Sequence, residues 1–286
     1  MCNINYKKGC LLNINIDGYD GIGKSTLISR YNYLLSMNGI SINRFKYPSD
    51  HGTIGNIIRK MLLDDSTLKD KLSEEELYAG NLHSCAFILD RWFIERGICD
   101  SDYMNINPDT PILVLDRSKY SNMLYYIMRR CKLSKNFSPE NVETNEIMYR
   151  SMLLPMEPPS RSIFEINVAL NKNASYKEIG CKDNIEEILS IEDYNQIFPH
   201  LFSDKSKNVL NQSASLIKPI FIKYELNNIE ESDKFIPYLD EEVEKLHDII
   251  SSNVRNLLSD NTEFLHSIRI DNEDLMLLER FSTIKI

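Results

Sequence analysis

Three features of the sequence predict a three-layer α/β fold, a five-stranded parallel sheet with helices on both faces. Short aliphatic runs alternate with longer segments of helical periodicity, the order that builds parallel sheets. One run, Pro111-Ile112-Leu113-Val114-Leu115, is continuously apolar, as expected of a strand covered on both sides. A glycine-rich turn joins the first strand to the first helix, at the end of the sheet where such folds bind ligands.

The elements follow in order. Residues 11–16 read as a strand and residues 24–37 as a helix, stopped by Asn38-Gly39 with the usual C-terminal glycine chemistry. A second strand fits residues 40–45, closed by Pro48, and helical patterns follow at 53–63 and 74–96, the latter with an acidic first turn. After the apolar strand at 111–115 come a helix at 118–130, a strand at 164–170, a helix at 185–198, a strand at 219–224 and an amphipathic helix at 240–258. Residues 203–218 are polar and read as a surface loop. The expected organisation is one domain over residues 1–259, with residues 260–286 an extension that forms a strand and helix or a docking segment.

Composition excludes several classes. The chain has 286 residues, 42% hydrophobic and 26% charged, enough for a sizeable core. No apolar stretch approaches the ~20 residues of a bilayer-spanning helix, and the opening residues lack a secretion signal. A net charge of −9 argues against a nucleic-acid binder or a polybasic membrane clamp. Cys2, Cys10, Cys85, Cys99, Cys131 and Cys181 have neither zinc-knuckle nor redox-dithiol spacing and read as reduced thiols in a cytoplasmic setting.

Gly18-Tyr19-Asp20-Gly21-Ile22-Gly23-Lys24-Ser25 matches G-x-x-x-x-G-K-[ST] in full. Such a loop must curl so that successive amide hydrogens point inward, which a Cβ resists. Gly18, Gly21, Gly23, Lys24, Ser25 and Thr26 are therefore the expected ATP-binding residues. Lys24 reaches the outer phosphates, the helix dipole lies beneath them, and Ser25, with Asp116, is expected to hold Mg2+. The fold this implies is that of the P-loop NTPases.

Three further constellations narrow the chemistry. Asp116-Arg117-Ser118 ends the apolar strand and faces the same crevice, where Arg117 can grip a second phosphate in bidentate fashion. Phe87 and Arg91, four residues apart, share a helix face on which a flat base can stack and find a hydrogen-bonding edge. Asn122 and Tyr125 lie one to two turns into the helix after Arg117, placed to meet a base and a sugar.

Together with Tyr47-Pro48 and Thr53-Ile54-Gly55, these residues resemble the thymidylate kinase family, which transfers phosphate from ATP to dTMP. The resemblance runs over residues 11–258 and is vague after Met156. It implies that Asp20 lies near the acceptor sugar and that Arg117 binds the acceptor phosphate. It implies also that Phe87 and Arg91 read thymine beside Tyr47, that Asn122 touches the base and that Tyr125 favours deoxyribose. Catalytic roles then fall to Lys24, Arg117 and Asp20, in a homodimer. The chain departs from the family at Asp50 and Gly21, where arginine is usual, and the expected lid at 171–183 holds Lys172, Lys177 and Lys182 but no arginine. Asp116-Arg117-Ser118-Lys119-Tyr120-Ser121 also resembles the deoxynucleoside kinases, so a deoxynucleoside kinase, or a weakly catalytic nucleotide-binding relative, stays open beside the first reading.

Overall fold

The computed structural model describes residues 11–48, 55, 56, 58, 81–95, 107, 109–158, 162–172, 189–205, 217, 219–226, 235–268 and 270–286. Five parallel strands, β1 (Leu12–Gly18), β2 (Asn43–Lys46), β3 (Ile112–Asp116), β4 (Phe164–Lys172) and β5 (Ile220–Leu226), form one sheet in the order β2-β3-β1-β4-β5. Every neighbour in this sheet is reached by a crossover, so each connection has to pass over a face, and the helices lie there. The principal ones are α1 (Lys24–Met37), α2 (Asn81–Glu95), α3 (Lys119–Ser134), α4 (Pro139–Met152), α5 (Ile191–Ile197) and α6 (Phe235–Asp260). The predicted α/β architecture is thus the observed one.

β1 runs through the middle of the sheet and carries two different faces. Leu12, Ile14 and Ile16 point to one side and are buried in the core. Asn13, Asn15 and Asp17 point to the other, toward Glu165 and Asn167 at the same level of β4. Asn15 Nδ2 donates to Asn167 Oδ1 at 2.6 Å and to Glu165 Oε1 at 3.2 Å, and Lys119 closes the seam by donating to Glu165 Oε2 at 3.0 Å. This buried polar seam leads along the sheet to Asp17, beneath the candidate site.

Several expectations shift by a few residues. The second strand begins at Asn43, and the last long helix starts at Phe235. The helix expected at 185–198 is α5, opened by a Ser190–Asp193 capping box and ended as a 3-10 turn at Phe198–His200. α4 answers to no predicted element, although Ser138 caps it and Pro139 and Glu140 fill its first turn. In the tail there are two helices and no strand among the described residues: α7 (Thr262–Ser267) and α8 (Asn272–Thr283), the latter lying against α6. Most of the helix expected at 53–63, of which residues 55, 56 and 58 are described as helical, most of the loop at 203–218, Asp50, Lys177 and Lys182 fall outside the described residues. So does the lid expected at 171–183, except for its first two positions, which end β4. No helix among the described residues is long and apolar enough to cross a membrane.

Candidate nucleotide site

The glycine loop crosses the top of β1 and ends at α1. Gly18 has φ +149°, and an added Cβ would stand 2.6 Å from the Leu170 carbonyl oxygen of β4, so glycine is required by the close approach of two strands. Gly23 caps α1 in the left-handed region at φ +96°. Gly21, Gly23, Ser25 and Thr26 are exposed, which leaves the rim of the loop open to a ligand. Lys24 lies back across its own loop, donating to the carbonyls of Gly18 at 2.8 Å and Tyr19 at 2.6 Å and standing 3.4 Å from Asp20 Oδ1. Burial lowers its pKa, against the pull of the Asp20 carboxylate.

Beside the loop, Ser25 Oγ donates to Asp116 Oδ2 at 2.6 Å, while Asp116 Oδ1 is buried without a hydrogen-bond partner. A serine hydroxyl next to a buried carboxylate with a spare oxygen is the donor set that fits Mg2+ shared with phosphates. No group of three or more His, Cys, Asp or Glu side chains that could hold a metal ion exists among the described residues. Arg44 of β2 stands at the same carboxylate, with its Nη2 3.6 Å from Asp116 Oδ2 and its Nη1 donating to Ser29 Oγ at 2.8 Å.

The turn after β3 is held by a residue that no motif in the sequence singles out. Asp17 Oδ1 accepts from the Ser118 amide at 2.8 Å and from Ser121 Oγ at 2.6 Å, and its Oδ2 accepts from Ser118 Oγ at 2.8 Å. Ser118 at the same time caps α3 by accepting from Tyr120 N, a contact that stabilises a helix by about 1 kcal/mol. Burial raises the Asp17 pKa and outweighs these hydrogen bonds, which favour the carboxylate. The anchored turn carries Arg117 at φ +71° and aims its guanidinium at Asp20 across the cleft, where the two form an ion pair. Burial would raise the Asp20 pKa, but Arg117 and Lys24 together hold it well below the usual carboxylate range.

Around this ion pair opens a cleft that holds about 460 Å³ of empty space, open solvent included. Asp20, Tyr47, Phe87, Arg91, Arg117, Asn122 and Tyr125, the seven residues expected at the acceptor, all line it, joined by Ser118, Ser121 and Arg129. Three arginines and one aspartate thus share the lining. Tyr125 packs near Tyr19, ring centroids 6.4 Å apart. Asn122 Nδ2 donates to the Ser84 carbonyl at 3.1 Å, which ties α3 to α2. Arg91 is bound by a partner that nothing local in the sequence announces: Glu157, whose carboxylate takes Arg91 Nε at 2.6 Å and Nη2 as well.

A five-stranded parallel sheet carrying this glycine loop, with a lysine and a strand-end aspartate at its mouth, defines a P-loop nucleotide-binding protein. The family model described as thymidylate kinase matches residues 16–143, so the resemblance to that family is shown over the stretch that holds every lining residue named above. The match links this stretch of the chain to the nucleotide kinases. No curated protein sequence matches it. Two solved structures are similar at long range. One is deoxyadenosine kinase from M. mycoides with bound dATP, at 15% identity and TM-score 0.36 over 73% of this chain and 89% of that one. The other is thymidylate kinase from Ehrlichia chaffeensis, at 13% identity and TM-score 0.36 over 81% of this chain and 96% of that one. Likenesses this distant add nothing to the topology already described.

Proposed function

We propose that the protein transfers the γ-phosphoryl group of ATP to dTMP, giving dTDP and ADP. The observation that carries this reading is the place of Arg117: its guanidinium lines the acceptor cleft, paired with Asp20, beside a glycine loop built for a triphosphate, and Arg129 and the Glu157-paired Arg91 line the same cleft. A guanidinium that can exchange a carboxylate for a phosphate suits a monophosphate better than a neutral nucleoside.

In this mechanism a dTMP phosphate oxygen forms the new bond to the γ-phosphorus while the bond to the β–γ bridging oxygen breaks, so that ADP leaves with that oxygen. The acceptor is already an anion and needs no general base. Catalysis then rests on alignment and on charge around the moving group. Lys24 exchanges its loop carbonyls for the outer phosphates, Arg117 exchanges Asp20 for the acceptor phosphate, and Phe87 offers its ring to the base. Tyr125 and Asp20 stand where the sugar would lie. Ser25 and Asp116 would hold Mg2+, which when bound supplies charge neutralisation to the phosphates.

An acceptor panel tests the reading. ADP release with ATP and Mg2+ should be fast with dTMP and much slower with thymidine, dCMP or UMP. Thymidine outrunning dTMP would instead make the chain a deoxynucleoside kinase. Lys24→Met should lower phosphotransfer at least about a hundredfold. Turnover that survives this change would leave a nucleotide-binding relative whose loop is not catalytic.

A further inference from the structure

We propose that Glu157 is a specificity-determining positioning residue, which holds the Arg91 guanidinium so that its remaining N–H groups face the acceptor cleft and select the edge of the base. The inference rests on the acceptor reading of that cleft and deepens it.

Arg91 stands, with Tyr47 and Ser118, in the wall between two cavities. On one side lies the acceptor cleft, and on the other a second cavity of about 340 Å³ lined by Asn13, Asn15, Lys119, Glu157 and Glu165 among others. Arg91 lines both spaces, whereas Glu157 lines only the second. The second cavity is rich in acceptors: the Oδ1 atoms of Asn13 and Asn15 are buried there without partners, beside the Glu165 carboxylate. A guanidinium in this wall has somewhere to go in either direction, and burial near the cleft does not by itself aim it.

Glu157 supplies the aim. Its carboxylate takes Arg91 Nε and Nη2 together, the fork-to-fork geometry that fixes a guanidinium plane. Both residues are almost sealed from water, at 4% and 6% exposure. The Tyr149 phenol donates to the same carboxylate at 3.3 Å, and the Tyr47 ring stacks 5.8 Å from the guanidinium carbon. Two of the five guanidinium N–H groups are spent on Glu157, and in this proposal the rest serve the cleft that Arg91 lines. They are donors only. A base that offers a keto oxygen at that edge is accepted, and one that offers an amino group meets donor against donor and leaves both buried groups unpaired. The Arg91–Glu157 pair thus favours keto over amino pyrimidines without Glu157 touching the ligand.

The test measures binding and turnover of dTMP and dCMP by wild type, Glu157→Gln and the paired variant Arg91→Met/Glu157→Met. Replacing a buried ion pair with apolar residues of similar volume is commonly tolerated, so the paired variant keeps the experiment readable if Glu157→Gln folds poorly. Glu157→Gln should reduce the dTMP-to-dCMP preference in kcat/KM by about tenfold to a hundredfold, the cost of a misplaced hydrogen bond to a charged group, while ATP affinity stays unchanged. Glu157→Asp, which keeps the charge, should recover part of the preference. Arg91→Met alone should lose as much preference as the paired variant, because Glu157 acts through Arg91. An unchanged preference in Glu157→Gln, or a loss additive to that of Arg91→Met, overturns the proposal. A wild type that ignores dTMP but discriminates other monophosphates defeats the acceptor assignment alone, and the same variants then read Glu157 on whichever base is preferred.

Discussion

Asp17 and Arg44 show how much a single side chain can decide in this site without meeting a substrate. Asp17 satisfies three donors of the turn that carries Arg117, so its loss would free the guanidinium from its track. Arg44 is a resident cation at the carboxylate expected to hold Mg2+. Its partial exposure screens the effect, so Arg44→Gln should tighten Mg2+ binding to the ADP-loaded protein about threefold to tenfold. Titration calorimetry reads this directly, and weaker binding would show that Arg44 orients the carboxylate instead. At this scale the sequence was legible where chemistry is contiguous. The loop from Gly18 to Ser25, the strand-end pair Asp116 and Arg117, and the i, i+4 pair Phe87 and Arg91 all announce themselves by spacing. Glu157 does not, because its bond to Arg91 spans 66 residues and depends on how α4 returns to the sheet. Asp17 carried a readable signal, an acid at a strand end with serines following the next strand, but only the sheet register brings them together.

Among the elements, α1 is gripped at both ends. Its first turn faces the phosphate loop, and its last turn is fastened to the tail, where Arg280 of α8 donates to the Asn38 carbonyl at 2.6 Å. Between them, His247 of α6 meets the Tyr31 hydroxyl at 2.9 Å and the Ile284 carbonyl at 3.3 Å, with Phe281 edge-on to its ring at 5.1 Å. Burial lowers the His247 pKa below its ordinary value of 6.5, despite the hydrogen bond to Ile284. The folded state therefore resists a proton that the unfolded chain accepts. The stability this histidine allows is fully present above 6.5 and is lost as pH falls below it toward the folded value. Thermal unfolding compared between about pH 7.5 and 5.5 should show a steeper decline for wild type than for His247→Leu, the slopes differing by at most about 1.4 kcal/mol per pH unit, the limit for a single proton. Equal slopes would remove His247 from the account. Strands with strong aliphatic runs were predictable here, but α4 was not read, even though its serine cap and proline obey the usual rules. The alternation of Leu12 to Asp17 would ordinarily indicate a half-exposed strand, and the structure instead buries both faces, the polar one by pairing it with β4.

For the whole molecule, charge is arranged against its own average. A chain of net charge −9 gathers Arg91, Arg117 and Arg129 at one cleft and Lys24 and Arg44 at the adjoining loop, and sets carboxylates among them: Glu157 at Arg91, Asp20 at Arg117 and Lys24, and Asp116 at Arg44. The cleft is lined before any ligand arrives, so acceptor and donor should each stabilise the protein alone. At a hundred times its dissociation constant a ligand adds about 2.7 kcal/mol, worth roughly 4–5 °C in Tm for a chain of this size. dTMP and MgATP should each produce such a shift, and thymidine much less. Lys24→Met should abolish the shift with MgATP and keep the one with dTMP, and loss of both would mean that the loop lysine supports the fold. The sequence could specify the sheet because periodicity and punctuation are local quantities, whereas this distribution of charge exists only after folding.

The Lys24 and Arg117 arrangements have one consequence in common. Each cation already has oxygens to hold, two carbonyls for one and the Asp20 carboxylate for the other. Under the proposed reaction, incoming nucleotide would enter by substitution, oxygen for oxygen, and the protein would gain only the difference between the partners it surrenders and those it receives. Such a trade would keep affinity moderate and let product depart, since the original partners wait alongside to take the cations back.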